Sequence, residues 1–475
     1  MATHNDTPDS AATKPAPQGD ALGSPGATTV VDAPTDAPVE AGEPAFDAFH
    51  PPSASLIADC VHCGFCLPSC PTYVLWGEEM DSPRGRIYLM NAGLQGEPLS
   101  DSMVEHFDAC LGCLACVSAC PSGVQYGSLI ESTRAQVERR HERPVAEKAL
   151  RNAIFEVFTR PERLRLLRGP LRVYQKSGMS GVLRRSTLFS TVLPRLAAME
   201  AAAPQIGTRV TVPERTPATG ARRGVVGLLL GCVQREFFPD VNAATARILA
   251  AEGFDVIAPR RQGCCGALSV HQGRREEAVE FARRLIDSFE QAGVDHIVVN
   301  SAGCGASMKE YEELLADDPA YAERAAAFSR RVRDLAEFLV DVGPMAPRHP
   351  LDVTVAYHDA CHLSHGQGVR AQPRALLRGI PGVELREVPE GDLCCGSAGV
   401  YSLLNPEPAR ELGDRKAANV AGTGATLLVT ANPGCLMQIG GAMQRAEAPI
   451  ALTHTAQILD ASIRGLSPEE LLANS

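Results

Sequence analysis

From Gly224 onward, short apolar runs alternate with longer stretches of helical period, and the alternation occurs twice. The first round opens on VVGLLLGC, ending at Cys232, and passes through a helix-period stretch (Asn242 to Glu252) and the run FDVIAP to Cys264-Cys265-Gly266. An amphipathic segment from Arg274 to Ala292, the run VDHIVVN and Cys304 complete it. The second round opens on VTVAYHDAC, ending at Cys361, then runs through a helix, VELREV, Cys394-Cys395-Gly396, a helical stretch from Pro406 to Val420, ATLLVTAN and Cys435. The cysteine separations agree to one residue, 32 against 33 and then 39 against 40. Matched spacing with little identity marks duplicated structure. Strands alternating with helices of this length predict two α/β units, residues 223–345 and 346–475, each around a mainly parallel sheet. Ligands gather at the carboxyl edge of such sheets, where each copy's four thiols can meet.

Ahead of the repeat the pattern changes. Residues 1–45 are acidic, proline-rich and nearly free of large apolar side chains, which predicts a disordered tail. Residues 46–134 are cysteine-rich. Residues 135–222 read as a basic helical region with a linker. Its arginines include Arg139, Arg140, Arg151, Arg163, Arg165, Arg184 and Arg185, and the linker is the Pro-, Thr- and Arg-rich stretch from Thr208 to Arg223. A solvated helical surface is the ordinary explanation of the arginines; contact with anionic lipid or a flavoprotein is the alternative.

Composition narrows the choice of chemistry. The 475 residues carry a net charge of -11, which argues against generic nucleic-acid binding. Apolar stretches fall far short of the roughly 20 residues that span a bilayer. The N-terminus has no signal-like apolar run, and no arginine precedes Arg84. These features predict a cytoplasmic protein whose 16 cysteines stay reduced and available for metal.

Eight of those cysteines form two motifs, CVHCGFCLPSCP (Cys60, Cys63, Cys66, Cys70) and CLGCLACVSACP (Cys110, Cys113, Cys116, Cys120). Both follow the C-x2-C-x2-C-x3-C-P spacing of ferredoxins that hold two 4Fe-4S clusters. In such ferredoxins the fourth cysteine serves the other cluster. This predicts one cluster on Cys60, Cys63, Cys66 and Cys120, and a second on Cys110, Cys113, Cys116 and Cys70. Zinc also accepts thiolates, but it needs neither the third cysteine nor the Cys-Pro ending. Nearby, Arg84 and Arg86 are candidates for a cluster or partner contact, with surface ion pairing the competing reading. His62 reads as an exposed loop residue and Trp76 as core.

The remaining eight cysteines, Cys232, Cys264, Cys265, Cys304, Cys361, Cys394, Cys395 and Cys435, are candidate metal ligands for further clusters. Thiol redox chemistry and inert burial are the alternatives. The glycine after each Cys-Cys pair permits close backbone approach. His271, His358 and His362 lie near these cysteines in sequence; the ordinary reading of each is a satisfied structural histidine, although His362 can also serve as a ligand or proton carrier.

Taken together, CVHCGFC followed by CPTY, SPRGRIYL, CPSGVQYGSL, NAATARIL, GCCGALSVHQ, SAGCGASMKEY, LCCGSAGVYSL and TANPGC resemble the iron-sulfur subunit of bacterial glycolate oxidase over about residues 55–465. The chain is similar, more distantly, to the iron-sulfur subunits of anaerobic glycerol-3-phosphate dehydrogenase and heterodisulfide reductase. The resemblance implies an electron-transfer subunit without a catalytic residue of its own. It would take electrons from FAD-binding partner subunits that oxidise glycolate to glyoxylate, and pass them to a quinone or another acceptor, with peripheral attachment to the cytoplasmic face of the inner membrane. Another flavin-linked dehydrogenase (glycerol-3-phosphate or D-lactate), or a heterodisulfide-reductase-like enzyme, is the alternative. In heterodisulfide reductases the repeat ends in C-x2-C and binds a five-cysteine cluster; here Ser307 and Gln438 stand where that last cysteine would be. The expected architecture is therefore a multidomain chain of mixed α+β and α/β class. It comprises an N-terminal two-cluster ferredoxin-like helical domain, a helical linker region and two duplicated α/β Cys-Cys-Gly units.

Overall fold

The computed structural model describes residues 43–179, 181, 200, 203, 206, 210–448 and 450–473. Most of the expected disordered tail, together with Arg184 and Arg185, lies outside the described residues.

The cysteine-rich region is helical: α1 (Ala54–Ala58), α2 (Pro71–Trp76), α3 (Pro83–Leu94), α4 (Asp101–Ala109), α5 (Ala115–Ala119) and α6 (Tyr126–Arg140). Proline at the first position of α2 and α3 suits a helix start, because its missing N–H would be unpaired there anyway. Ile87, Met90, Phe107, Leu129 and Ile130 form the core of this region. Helices α7 (Val145–Phe158) and α8 (Pro161–Lys176) follow. Their arginines and those ending α6 are ion-paired within the chain. Arg139 pairs with Asp47, Arg140 with Glu43, Arg151 with both Glu147 and Asp108, Arg163 with Glu156 and Arg165 with Glu236. Among the described residues no helix is long and apolar enough to cross a membrane.

The two α/β copies form two sheets. In the first, strands β1 (Arg215–Thr216), β2 (Gly224–Leu228), β3 (Phe254–Ile257), β4 (His296–Val299) and β5 (Val332–Asp334) lie in the order β1-β3-β2-β4-β5. All are parallel except β1, which pairs antiparallel with β3 from inside the expected linker. In the second, β6 (Val353–His358), β7 (Val383–Glu387), β8 (Leu427–Thr430) and β9 (Ala451–His454) are all parallel in the order β7-β6-β8-β9. Leaving out β1, the two orders are equivalent. In each, the chain turns outward in opposite directions from the two central strands, which opens a crevice at their carboxyl ends.

Helices form where apolar spacing dictates. Helix Arg275–Ala292 buries Ala278, Phe281, Ala282, Leu285, Ile286 and Phe289, a stripe of helical period against the first sheet, and stops at left-handed Gly293. Helix Leu335–Val342 begins on a capping box in which Asp334 accepts from the Ala336 N–H and the Glu337 carboxylate from the Asp334 N–H. The copies also share a core. Helix Pro239–Ala251 of the first packs on helix Thr455–Arg464 of the second, and helix Leu335–Val342 packs on helix Ala371–Arg378. Val226, Ile248, Leu249, Val355, Leu377, Ile458 and Leu459 belong to that one apolar cluster, each fully buried side chain contributing about 1.5–3 kcal/mol. The Arg247–Asp460 pair, 2.6 Å apart, crosses the same junction.

Candidate iron-sulfur sites

Both ferredoxin-type loops have the same backbone turn. His62 and Gly112, two residues after the first cysteine of each motif, have positive φ (54° and 64°), as do Gly64 and Leu114 two residues later (84° and 64°). Left-handed residues at matched points curl each short spacer so that successive sulfurs can face one side. Cys70 then caps α2 and Cys120 closes α5.

Cys70, the fourth cysteine of the first motif, stands with the first three cysteines of the second. It lines a small cavity together with Cys110, Cys113 and Cys116, walled also by Pro71, Arg86 and Tyr126. On the other side Cys60, Cys66 and Cys120 lie partly buried against one apolar cluster. Cys63 is exposed, between exposed Val61 and Phe65.

The cavity is electrostatically built for a negative occupant. Arg86 is fully buried; its guanidinium donates to the Asp81 carbonyl (2.6 Å), the Asp81 carboxylate (3.1 Å) and the His106 carbonyl (2.6 Å), and lies 4.0 Å from the Cys70 sulfur. Arg134 donates to the carbonyl of Cys110. Burial opposes ionisation of Cys110, yet Arg86, Arg134 and the Gly112 N–H outweigh it and hold this thiol below its ordinary range. Burial pushes Cys113 and Cys116 well up. Four sulfurs around a small void, two of them hard to ionise alone and the other two close to buried cations, fit an anionic iron-sulfur cluster. Of the two candidate arginines, then, Arg86 is at the site, whereas Arg84 pairs with Glu79 and donates to the His62 carbonyl. His62 is exposed, as expected. Trp76, expected in the core, is instead 45 % exposed, because α2 ends there at left-handed Gly77.

Each copy of the repeat brings its four thiols to the carboxyl edge of its sheet. Cys232 follows β2, Cys264 and Cys265 follow β3, and Cys304 enters the first turn of helix Ala302–Lys309 after β4. The sulfurs of Cys264 and Cys232 are 3.6 Å apart, and Cys265 interacts with Cys304. In the second copy Cys361 follows β6, Cys394 and Cys395 follow β7, and Cys435 enters helix Pro433–Arg445 after β8. Cys361 interacts with Cys394 and Cys395 with Cys435. Ligand atoms of His358, Cys395 and Cys435 all lie within 4.8 Å of one another. Directly after Cys361 comes a π-helical turn, His362–Gly366, a distortion that often marks functional sites.

The glycines after the Cys-Cys pairs do permit a close backbone approach, that of a helix. Gly266 and Gly396 have positive φ (82° and 87°), and what they admit is a neighbouring helix. A Cβ on Gly396 would stand 2.5 Å from the Ala409 carbonyl oxygen, and one on Gly266 3.2 Å from Ala278. The positions that depart from C-x2-C also have other work. Gln438 donates its amide to the Ala409 carbonyl (2.6 Å), and buried Ser307 lines a separate cavity with Glu131 and Glu313. Of the three histidines, His271 and His362 face each other, ring centroids 4.8 Å apart. His271 bonds Glu131 (2.7 Å) through Nδ1, and His362 Nδ1 lies 3.6 Å from the Cys361 sulfur.

Residues 57–124 match the 4Fe-4S dicluster domain family, residues 146–203 the linker region of glycolate oxidase iron-sulfur subunits, and residues 226–309 and 355–440 the cysteine-rich domain family. A Bacillus subtilis (strain 168) protein, a probable glycolate oxidase iron-sulfur subunit, is 37% identical over 417 residues, 85% of this chain and 93% of that protein. The chain belongs to the glycolate oxidase iron-sulfur subunit family. The Escherichia coli (strain K12) glycolate oxidase iron-sulfur subunit is 37% identical over 395 residues, 82% of this chain and 91% of its own length. Lactate utilization protein A of Halalkalibacterium halodurans is 34% identical over 236 residues, which covers 50% of this chain and 96% of that protein. Membership of this family, with its dicluster and cysteine-rich domains, makes the chain an iron-sulfur protein of an oxidoreductase complex.

Proposed function

We propose that this chain carries electrons within a complex whose FAD-binding subunits oxidise glycolate to glyoxylate. That oxidation yields two electrons and two protons. The electrons pass through this chain one at a time towards a quinone or another acceptor. Cys60, Cys63, Cys66 and Cys120 hold one 4Fe-4S cluster in this reading, and Cys110, Cys113, Cys116 and Cys70 the other. The functional boundaries are 46–134 for the dicluster domain, 135–222 for the basic region and linker, and 223–345 and 346–475 for the two copies. The protein is cytoplasmic, and a quinone acceptor would bring it to the cytoplasmic face of the inner membrane.

The observation that carries the reading is the contact between domains. Cys113 of the dicluster region and Cys394 of the second copy belong to one apolar cluster, while Cys63 stands at the surface. A carrier needs both an exposed entry and a dry onward contact. The substrate comes from the family relatives, whose names specify glycolate.

The test is to purify the chain anaerobically with its flavoprotein partners and follow cluster reduction by EPR on adding glycolate, D-lactate or glycerol 3-phosphate. Reduction by glycolate, lost in Cys113→Ser, is expected. Reduction by another of these substrates but not by glycolate would overturn the assignment.

A further inference from the structure

His358 is the last residue of β6 and is 1% exposed, yet neither ring nitrogen makes a hydrogen bond of ordinary geometry. Its polar neighbour is the Cys435 thiol, a weak hydrogen-bonding partner, so a buried imidazole here is costly unless something beyond the chain satisfies it. Its direction follows from strand alternation. Val355 and Tyr357 face the core shared by the two copies, while Ala356 joins the other face with Cys395 and Cys435. His358 continues that second face, and a ring nitrogen comes within 4.8 Å of the Cys395 and Cys435 sulfurs. Cys361, three residues on, reaches the same site through Cys394.

A compensating charge stands beside these groups. Lys416 is 1% exposed, donates to the Glu390 carbonyl at 2.6 Å, and interacts electrostatically with Cys394, Cys395 and Cys435. The first copy has neither feature. Leu229 stands three residues before Cys232, and the stretch of helix Arg275–Ala292 matching Lys416 holds buried Leu285 and Ile286.

We propose that His358 is a fifth metal-ligating side chain, joining Cys361, Cys394, Cys395 and Cys435 around an iron-sulfur cluster in the second copy, in the role that Gln438 cannot fill. The first copy offers four thiols and no such imidazole. Imidazole in place of thiolate leaves the site one negative charge poorer, and such replacement raises the potential of a cluster. The two copies are thus chemically unequal: the second has an imidazole and the buried Lys416 beside its four thiols, and it stands against Cys113.

This proposal goes beyond the electron-transfer reading and does not depend on the substrate. It is tested on the full-length holoprotein made with ¹⁵N-histidine and purified anaerobically, with iron and sulfide quantitation and pulsed EPR at poised potentials. The signal lost in Cys435→Ser identifies the second-copy centre. That signal should carry one histidine nitrogen coupling, which persists in His362→Ala and disappears in His358→Ala. His358→Cys should retain the wild-type iron content with a lowered potential and no nitrogen coupling. The proposal is overturned if the second-copy signal shows no histidine nitrogen, if the coupling follows His362 instead, or if wild type holds no iron beyond the about eight of two ferredoxin-type clusters. Should His358→Ala fail to fold, the labelled wild type and His358→Cys decide the matter.

Discussion

Cys113 and Cys394, 281 positions apart in sequence, share one apolar cluster with Leu111, Leu393, Tyr401, Ala409 and Leu412. Burial raises the Cys113 thiol, and the neighbouring Cys394 raises it further, so the two sulfurs sense each other through a dry medium. Paramagnetic centres on both would interact. In fully reduced wild type the ferredoxin-type EPR spectrum should be broadened by that interaction. In Cys394→Ser the broadening should vanish while the eight N-terminal cysteines keep their iron. A spectrum identical in both proteins would refute this.

Arg86 is a buried cation among the cysteines proposed to hold a cluster, so removing it withdraws positive charge where an electron would arrive. Arg86→Met should lower the potential of the cluster near Cys70, with ~59 mV for each tenfold change in a one-electron equilibrium. It also leaves the Asp81 carboxylate with His106 as its remaining ionic partner, so a stability loss of about 3 kcal/mol is expected. Redox titration followed by EPR reads the first effect and denaturant unfolding the second; an unchanged potential would show that the cation is purely structural.

Gly396 lets helix Pro406–Gly422 approach the Cys394-Cys395 pair. Gly396→Ala should lower stability by about 1–3 kcal/mol and Gly266→Ala by less, since the first puts a methyl 2.5 Å from a backbone oxygen and the second 3.2 Å from its neighbours. Thermal unfolding of the two variants side by side checks the order.

Glu131 receives its charge reluctantly: burial and the nearby Glu313 raise its carboxyl from 4.5 to about 7. A folded value above the unfolded one means the native state holds the proton more tightly. Stability from this group is therefore complete below about pH 4.5 and declines as the pH rises through 7. Glu131→Gln should flatten that decline, so the melting curves of variant and wild type should diverge in the variant's favour from pH 5 to 8. Parallel curves would show that the carboxylate is already charged in the fold.

Much of this arrangement is written locally and some is not. The expected runs became β2, β3, β4, β6, β7 and β8; all but the polar edge strand β7, none of whose residues is buried, are apolar enough to be buried in a parallel sheet. Strands β1, β5 and β9 escaped notice: they are short, at most four residues, and β1 and β5 carry charged side chains. The eight ferredoxin-type cysteines were plain from spacing, since a short spacer dictates its own turn. In the sequence His358 reads as a satisfied structural histidine, because only strand alternation together with the fold of two distant loops brings a ring nitrogen near sulfur. Trp76 departs from its expected burial for the opposite reason. Its size argued for burial, but a one-turn helix ending in glycine leaves it at the surface.

The core shared by the two copies bears on how the chain is made. Helix Thr455–Arg464, close to the C-terminus, covers helix Pro239–Ala251 from the middle of the chain. Synthesis proceeds from the N-terminus, so the first sheet emerges with one flank of Leu and Ile bare and waits for the last stretch of polypeptide. A ribosome that stalls, or a stop codon before residue 455, would release a chain with the dicluster loops intact and a sticky half-built duplicate.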